Sequence, residues 1–426
     1  MSPFHYAHEA LVADGVPLAD IAAEVGTPCY VYAASTMRER IRAFRQAFRG
    51  GPEPLFCYAV KANSNLAVIR LFAQEGAGAD TVSGGEIARA LAAGVAPSRI
   101  VYAGIAKTDE EIRFALQTGI LQFNVESTQE LLRIAEIAAG MGKTAPVALR
   151  INPDVAAGTH DKISTGRKHD KFGIPWDEAG EVFALAQRLE GIEPLGLHLH
   201  IGSQITRLEP FEAAYRRAVD LFVALRTAGV PLRRLDLGGG FGVPYKDEPR
   251  VEAEAFADLV RRLTRGLDVE LVFEPGRSLV AEAGVILSQV IYLKEAGGRR
   301  FLVLDSGMNV LIRPAMYGAY HAVLPVREPR PDEELVPMDV VGPICESSDV
   351  LGRDRLLPLL RPGDLVAITG AGAYGSVMAS HYNSRPSAAE VLVERGRFAV
   401  IKPHLPPERQ FADERIPDWL GGSGKD

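Results

Sequence analysis

Between about residue 55 and residue 280 the chain repeats one pattern eight times. A short apolar or β-branched run is followed by Gly or polar punctuation, then by a stretch of helical periodicity. The strand candidates are LFCYAVKA (55–62), GADTVS (78–83), RIVYAG (99–104), LQFNVE (121–126), PVALRIN (146–152), PLGLHLHIG (194–202), RRLDLGGG (233–240) and ELVFEPGR (270–277). Helical patterns such as GEIARALAAG and STQELLRIAEIAAG lie between them, many stopping at Gly. Ser127 opens STQE, which matches a capping box. An open doubly wound sheet also alternates in this way. The count of eight favours an α/β fold of the closed (β/α)8 TIM-barrel type, with right-handed crossovers placing the helices outside.

From about residue 285 the texture changes. GVILSQVIYLKE, RRFLVLDSG, PMDVVGP, GDLVAITG, AAEVLVERG and FAVIK are strand-like, with Pro and Gly between them. A C-terminal all-β domain is expected. The reading is an N-terminal segment over 1–34 packing with the β domain, a barrel over 35–284, a β domain over 285–402 and a frayed tail over 403–426.

A net charge of −7 indicates no nucleic-acid-binding face. Three cysteines, Cys29, Cys57 and Cys345, are too few for a disulfide framework and fit a reducing compartment. The first residues lack the basic start and apolar core of a signal peptide, and no apolar run is long enough to span a bilayer. A cytoplasmic protein without membrane or nucleic-acid partners is expected.

Barrels of this kind place their chemistry where strands end. Lys61 closes the otherwise apolar run FCYAVKAN. A lysine there is costly unless neutral, paired or covalently used, and desolvation would lower its pKa, as Schiff-base chemistry wants. Position alone does not separate this from a lysine that snorkels out of a strand end. Asp80 and Ser83 close the second strand, Arg150 and Asn152 the fifth. His198 and His200, two residues apart, share one face of the sixth strand and should both point into the barrel. Such a pair also ligates metal in some hydrolases, but the other seven histidines fall outside strand ends. No metal is expected.

The seventh strand ends in Gly238-Gly239-Gly240 and the eighth in Glu274-Pro275-Gly276-Arg277. Loops after these strands often bind phosphate in barrels; glycines admit backbone amides to the anion and Arg277 adds charge. Glu274, set against a pyridine nitrogen, would keep it protonated. Gly-Ala-Gly-Ala-Tyr-Gly at 370–375 spells a dinucleotide fingerprint, but SVMASHYNSRPS follows where a crossover helix is required, so it reads as a turn that presents Tyr374. In the β domain, Cys345 beside Glu346 would make an acid–base pair, or a small thiol beside a surface acid. Arg313 and Tyr317 would grip a carboxylate, or lie on ordinary surface.

Taken together, YAVKAN, GADTVSGGE, STGRKHDKFGI, HLHIGSQ, LDLGGGFGVPY, FEPGR, DSGMNVLIRPAMYGAYH, VVGPICESSD and GAYG…YNSRP resemble the fold-type III pyridoxal-phosphate decarboxylases, and within them those acting on diaminopimelate. The resemblance runs from about residue 25 to 402. It implies an alanine-racemase-like barrel and pyridoxal 5'-phosphate as cofactor. It implies that Lys61 carries the cofactor as a Schiff base, that His200 packs on the ring face and that Glu274 meets the ring nitrogen. Ser203, Gly239, Gly240, Gly276, Arg277 and Tyr374 would surround the phosphate, with Asp80 and Arg150 in support. Arg277, Arg313, Tyr317, Glu346 and Tyr374 would bind substrate, and Cys345 would be the general acid. A homodimer with shared active sites is implied, as is loss of CO₂ from the D-centre of meso-2,6-diaminopimelate to give L-lysine, the last step of lysine biosynthesis.

Glu346 suits the distal ammonium of such a substrate, and Arg277 with Arg313 its distal carboxylate. The rival readings are a decarboxylase of the same fold with a carrier-tethered or ornithine/arginine-type substrate, a racemase, and a cofactor-binding protein without turnover. A racemase of this fold would set Arg against the ring nitrogen, and a non-catalytic protein would lack Cys345 and Glu346.

Overall fold

The computed structural model describes residues 3–155 and 171–420. The chain forms two units. The first holds Ala33–Gly284 and Gly372–Val377; the second holds Phe4–Tyr32, Val285–Ala371 and the chain from Met378 on.

In the first unit eight parallel strands close on themselves. They are β1 (Leu55–Ala59), β2 (Gly78–Thr81), β3 (Ile100–Tyr102), β4 (Gln122–Val125), β5 (Ala145–Asn152), β6 (Ile192–His198), β7 (Arg234–Asp236) and β8 (Glu270–Phe273). Each pairs with the next, and β8 returns to β1 through Val272–Leu55 and Phe273–Phe56. A closed parallel barrel has no edge, so every strand is paired on both sides. The strands stop earlier than their apolar runs, which lets polar residues spread over the C-terminal rim.

Helix starts follow the sequence. Ser83 accepts the amide of Glu86, Ser127 that of Glu130, and Thr108 forms a full capping box with Glu111. Ser83, a candidate site residue by position, is therefore a helix cap. An aromatic cluster joins barrel to helices: Phe256 packs edge-on to Phe241 and Phe273, with centroids 4.7 and 5.3 Å away.

The second unit is mostly sheet. Its strands run in the order Val350–Pro358, Leu335–Val341, Arg299–Leu304, Gly284–Ala296, Cys29–Ala33, Ala389–Glu394 and Arg397–Lys402. Val350–Pro358 forms a strand although RDR interrupts its apolar pattern. The segment after Pro403 reads as frayed by composition, yet Leu405 N–H donates to Ser387 Oγ and Gln410 Nε2 to the Arg385 carbonyl. Among the described residues no helix is long and apolar enough to cross a membrane.

Candidate active site

Lys61 does not lie on the strand itself. β1 ends at Ala59, and Val60–Ala62 form a 3-10 turn that lifts the lysine onto the rim. Its Nζ sits 2.7 Å from Asp80 Oδ2 at the end of β2. The expected depression of this amine is reversed. Burial alone would lower it, but Asp80, Glu274 and Tyr374 outweigh burial and hold the ammonium well above the ordinary lysine value. Asp80 is fully buried, and its Oδ1 has no hydrogen-bond partner among the described residues. Burial and Glu274 push its carboxyl up, against the pull of Lys61.

His198 and His200 part company. β6 ends at His198, which is buried, with Nε2 3.4 Å from Glu274 Oε2. His200 lies beyond the strand, where Nδ1 accepts the Gly239 N–H at 3.2 Å. Burial, Arg150 and Lys61 drive its pKa well below the ordinary range, so the imidazole is neutral and carries its proton on Nε2. A neutral, flat ring suits packing on an aromatic cofactor. Arg150 supports it from beneath: Nη1 pairs with Glu126 Oε1 at 2.5 Å and Nη2 reaches the His200 carbonyl at 3.5 Å. Asn152 serves the loop backbone, donating to the Phe172 carbonyl and accepting the Asp154 amide.

Glu274 follows β8 directly and is buried. Asn124 Nδ2 donates to its Oε1 at 2.9 Å. Burial opposes its ionisation, but the charge of His198, the hydrogen bond from it, and Lys61 prevail, and the carboxyl falls to about 2. His198, Asp236 and Glu274 bring ligand-type atoms within 4.8 Å of one another. N–H donors already point at these oxygens: Asn124 at Glu274, Gln122 and Gly238 at Asp236. That array suits a carboxylate rather than a cation.

The glycine cradle forms as the sequence implies. A Cβ at Gly239 would run into the Glu274 carbonyl, and one at Gly276 would lie 2.9 Å from Ala59 Cβ. Gly240 adopts φ +104°, open only to glycine. Arg277, buried at the start of the helix Arg277–Val280, donates to Ser203 Oγ at 3.0 Å and Tyr245 Oη at 2.9 Å. Its guanidinium lies 4.7 Å from the Tyr374 ring centroid. Tyr374 has φ +55°, and its amide donates to the Ala62 carbonyl, which ties the glycine-rich turn to the Lys61 rim. The dinucleotide reading of this turn fails, as expected: a Cβ at Gly372 would collide with the Val280 carbonyl, and no helix of the crossover kind follows.

Lys61, Asp80, His200, Ser203, Gly239, Gly240, Glu274, Gly276, Arg277 and Tyr374 thus all belong to the barrel unit. Arg313, Tyr317, Cys345 and Glu346 belong to the β unit. Cys345 is exposed, its amide donating to Asn383 Oδ1 at 3.2 Å. Glu346 is exposed and accepts from Tyr382 Oη at 2.6 Å. Asp349, unread in the sequence, shapes that loop by accepting the amides of Met308 and Ile344. Arg313 is buried rather than superficial, with Nη1 3.0 Å from His321 Nε2. Tyr317 is half-buried at the end of the same short helix. Sequence reasoning also missed Tyr245 and Asn124. The signal for Asn124 was present: Gln122 and Asn124, two apart in a strand, share one face of a barrel interior.

Residues 34–281 match the family model described as pyridoxal-dependent decarboxylase, pyridoxal binding domain. The chain is 46% identical to the diaminopimelate decarboxylase of Zymomonas mobilis, over 99% of this chain and 100% of the relative. It is 50% identical to that of Pseudomonas aeruginosa, over 98% and 99%. The crystal structure of diaminopimelate decarboxylase from Helicobacter pylori complexed with L-lysine superposes with a TM-score of 0.90 at 42% identity, covering 93% of this chain and 99% of that one.

Proposed function

We propose, for a chain that belongs to the pyridoxal-dependent decarboxylases, that it carries out decarboxylation of meso-2,6-diaminopimelate to L-lysine and CO₂. The full-length similarity to enzymes of that name supports the substrate class. The observation that carries the chemistry is the convergence of Lys61, a buried ionised Glu274 and a glycine cradle on one rim.

The residues fit pyridoxal 5'-phosphate. An orphaned oxygen on Asp80 and backbone approaches that a Cβ would block are features of a site shaped around a polar guest. Lys61 would hold it covalently, His200 would cover its ring, and Ser203, Gly239, Gly240, Gly276, Arg277 and Tyr374 would receive its phosphate. Once bound, the cofactor supplies an electron sink conjugated to the carbon that loses CO₂.

The protein's own groups supply the rest. Glu274 would hold a proton on the cofactor's ring nitrogen, since a carboxylate with a lowered pKa favours a cationic partner. When not bonded to the cofactor, Lys61 would rest as an ammonium beside Asp80, whose Oδ2 lies 2.7 Å from its Nζ. The family resemblance implies that Arg277, Arg313, Tyr317, Glu346 and Tyr374 would bind substrate; an arginine suits its carboxylates and Glu346 its distal ammonium. After CO₂ departs, Cys345 Sγ–H gives its proton to the α-carbon and becomes a thiolate. The family resemblance implies a homodimer with shared active sites, in which Cys345 and Glu346 would serve the partner's rim; the sparse cysteines fit a cytoplasmic location.

The test is CO₂ release from meso-diaminopimelate beside lysine, ornithine and arginine. Turnover of the diamino diacid is expected; its absence, with turnover of another substrate, would replace the substrate and leave the cofactor reading standing. No CO₂ from any of the four, with the cofactor bound, would favour a binding protein.

A further inference from the structure

The inside of this barrel is unusual below the rim. Where branched apolar side chains commonly fill the layers, β4 and β7 contribute Gln122, Asn124, Arg234 and Asp236, all buried. Their hydrogen bonds run in one direction. A guanidinium only donates. Arg234 Nη1 lies 2.9 Å from Gln122 Oε1, so the amide oxygen of Gln122 faces the arginine. The Gln122 NH₂ then faces away and donates to Asn124 Oδ1 at 2.7 Å and Asp236 Oδ2 at 3.1 Å. With its oxygen occupied, Asn124 turns its NH₂ to Glu274 Oε1 at 2.9 Å. Amide orientation is often a free choice; here a residue with a single option sets it. Arg234 is itself anchored, Nε to Glu270 Oε2 at 2.9 Å. From the other side His198 Nε2 approaches Glu274 Oε2 at 3.4 Å, while His198 Nδ1 has no partner among the described residues.

We propose that Arg234, Gln122, Asn124 and His198 are positioning residues which aim N–H donors at both oxygens of Glu274, keeping it an oriented carboxylate for the cofactor it would meet. This rests on the role of Glu274 given above. The charges nearby agree. Burial and the charge of Glu274 push Asp236 well up, while His198 and Lys61 hold Glu274 down against burial.

The alternative is a polar layer that is merely satisfied. Gln122→Glu separates the two. It keeps the shape and still pairs with Arg234, but it cannot donate when ionised. Asn124 must then turn its NH₂ to the introduced carboxylate and its oxygen to Glu274. The expected result in the holoenzyme is a kcat lower by about 10- to 100-fold, the size of one hydrogen bond to a charged group. KM should stay within about threefold, the melting temperature should hold, and the visible absorption of the bound cofactor should change. His198→Leu should act in the same direction, and His198→Gln, which restores an N–H, should recover activity. A Gln122→Glu enzyme with kcat within about twofold of the parent, or His198→Leu and His198→Gln enzymes that behave alike, overturns the proposal. Should Gln122→Glu not fold, the pair at 198 decides alone. Glu274→Gln is the control. If it retains full kcat, the role of Glu274 falls and this proposal with it; if it is impaired beside an unimpaired Gln122→Glu, only the positioning row falls.

Discussion

Lys61 Nζ lies 2.7 Å from Asp80 Oδ2, and the second oxygen of Asp80 meets no hydrogen-bond donor among the described residues. The free lysine is thereby held as an ammonium. Attack on an aldehyde needs the neutral amine, whose share grows with pH. Cofactor capture by the apoprotein should therefore quicken as pH rises. In Asp80→Asn the rise should move to lower pH, because a main cause of the raised pKa is gone. Stopped-flow absorbance on mixing with pyridoxal phosphate measures it; a profile that does not move removes Asp80 from this role. Lys61→Ala should lack the visible absorbance of bound cofactor altogether.

Cys345 is exposed, on a loop fixed by Asp349, so its side chain adds little to folding. Cys345→Ala should keep its melting temperature and its cofactor while kcat falls by about 10²- to 10⁴-fold, the usual range for a positioned acid. Full activity in that variant would take Cys345 out of the reaction.

Arg313 is buried with its Nη1 on His321, whose Nδ1 lies 2.8 Å from the Thr369 carbonyl. The fork is therefore aimed, which a lysine cannot reproduce. Arg313→Lys should raise KM for diaminopimelate by about tenfold or more, the cost of a lost charge-assisted hydrogen bond. An unchanged KM would place the distal carboxylate elsewhere.

Arg150 and Glu126 form a buried pair at the ends of β5 and β4, with side chains 8% and 3% exposed. Burial would raise Glu126, but Arg150, Lys107 and His198 lower it. A depressed carboxyl contributes stability above its unfolded value of about 4.3, and that contribution is lost as pH falls through the lower folded value. Arg150→Met should cost about 3 kcal/mol at neutral pH by stranding the charge of Glu126. Its stability should also fall less steeply on acidification than the parent's. Urea unfolding at neutral and acid pH measures both; equal slopes would show the pair to be uncoupled from folding.

Much of this protein was legible in its sequence because its signals are local. A β–α pair announces itself within about 30 residues, and Gly at a left-handed turn or Ser at a helix start needs no distant partner. The residues at strand ends could be named for the same reason: strand direction in a parallel barrel puts them on one rim. What could not be read was charge state. Desolvation by itself would lower the Lys61 amine, which is instead held charged, because its partner arrives from 19 residues away and a second acid from β8. Glu274 and His198 were found, but not the contact between them, nor the donor to Glu274 from Asn124, 150 residues distant in the chain. Arg313 read equally as surface, since nothing in RPAMYG tells that His321 and the sheet enclose it. Local backbone preference and hydrophobic period determine which elements form and which residues they present. Protonation and aim depend on Coulomb terms and hydrogen bonds that act over a few ångströms, and only barrel closure decides which residues stand at that range.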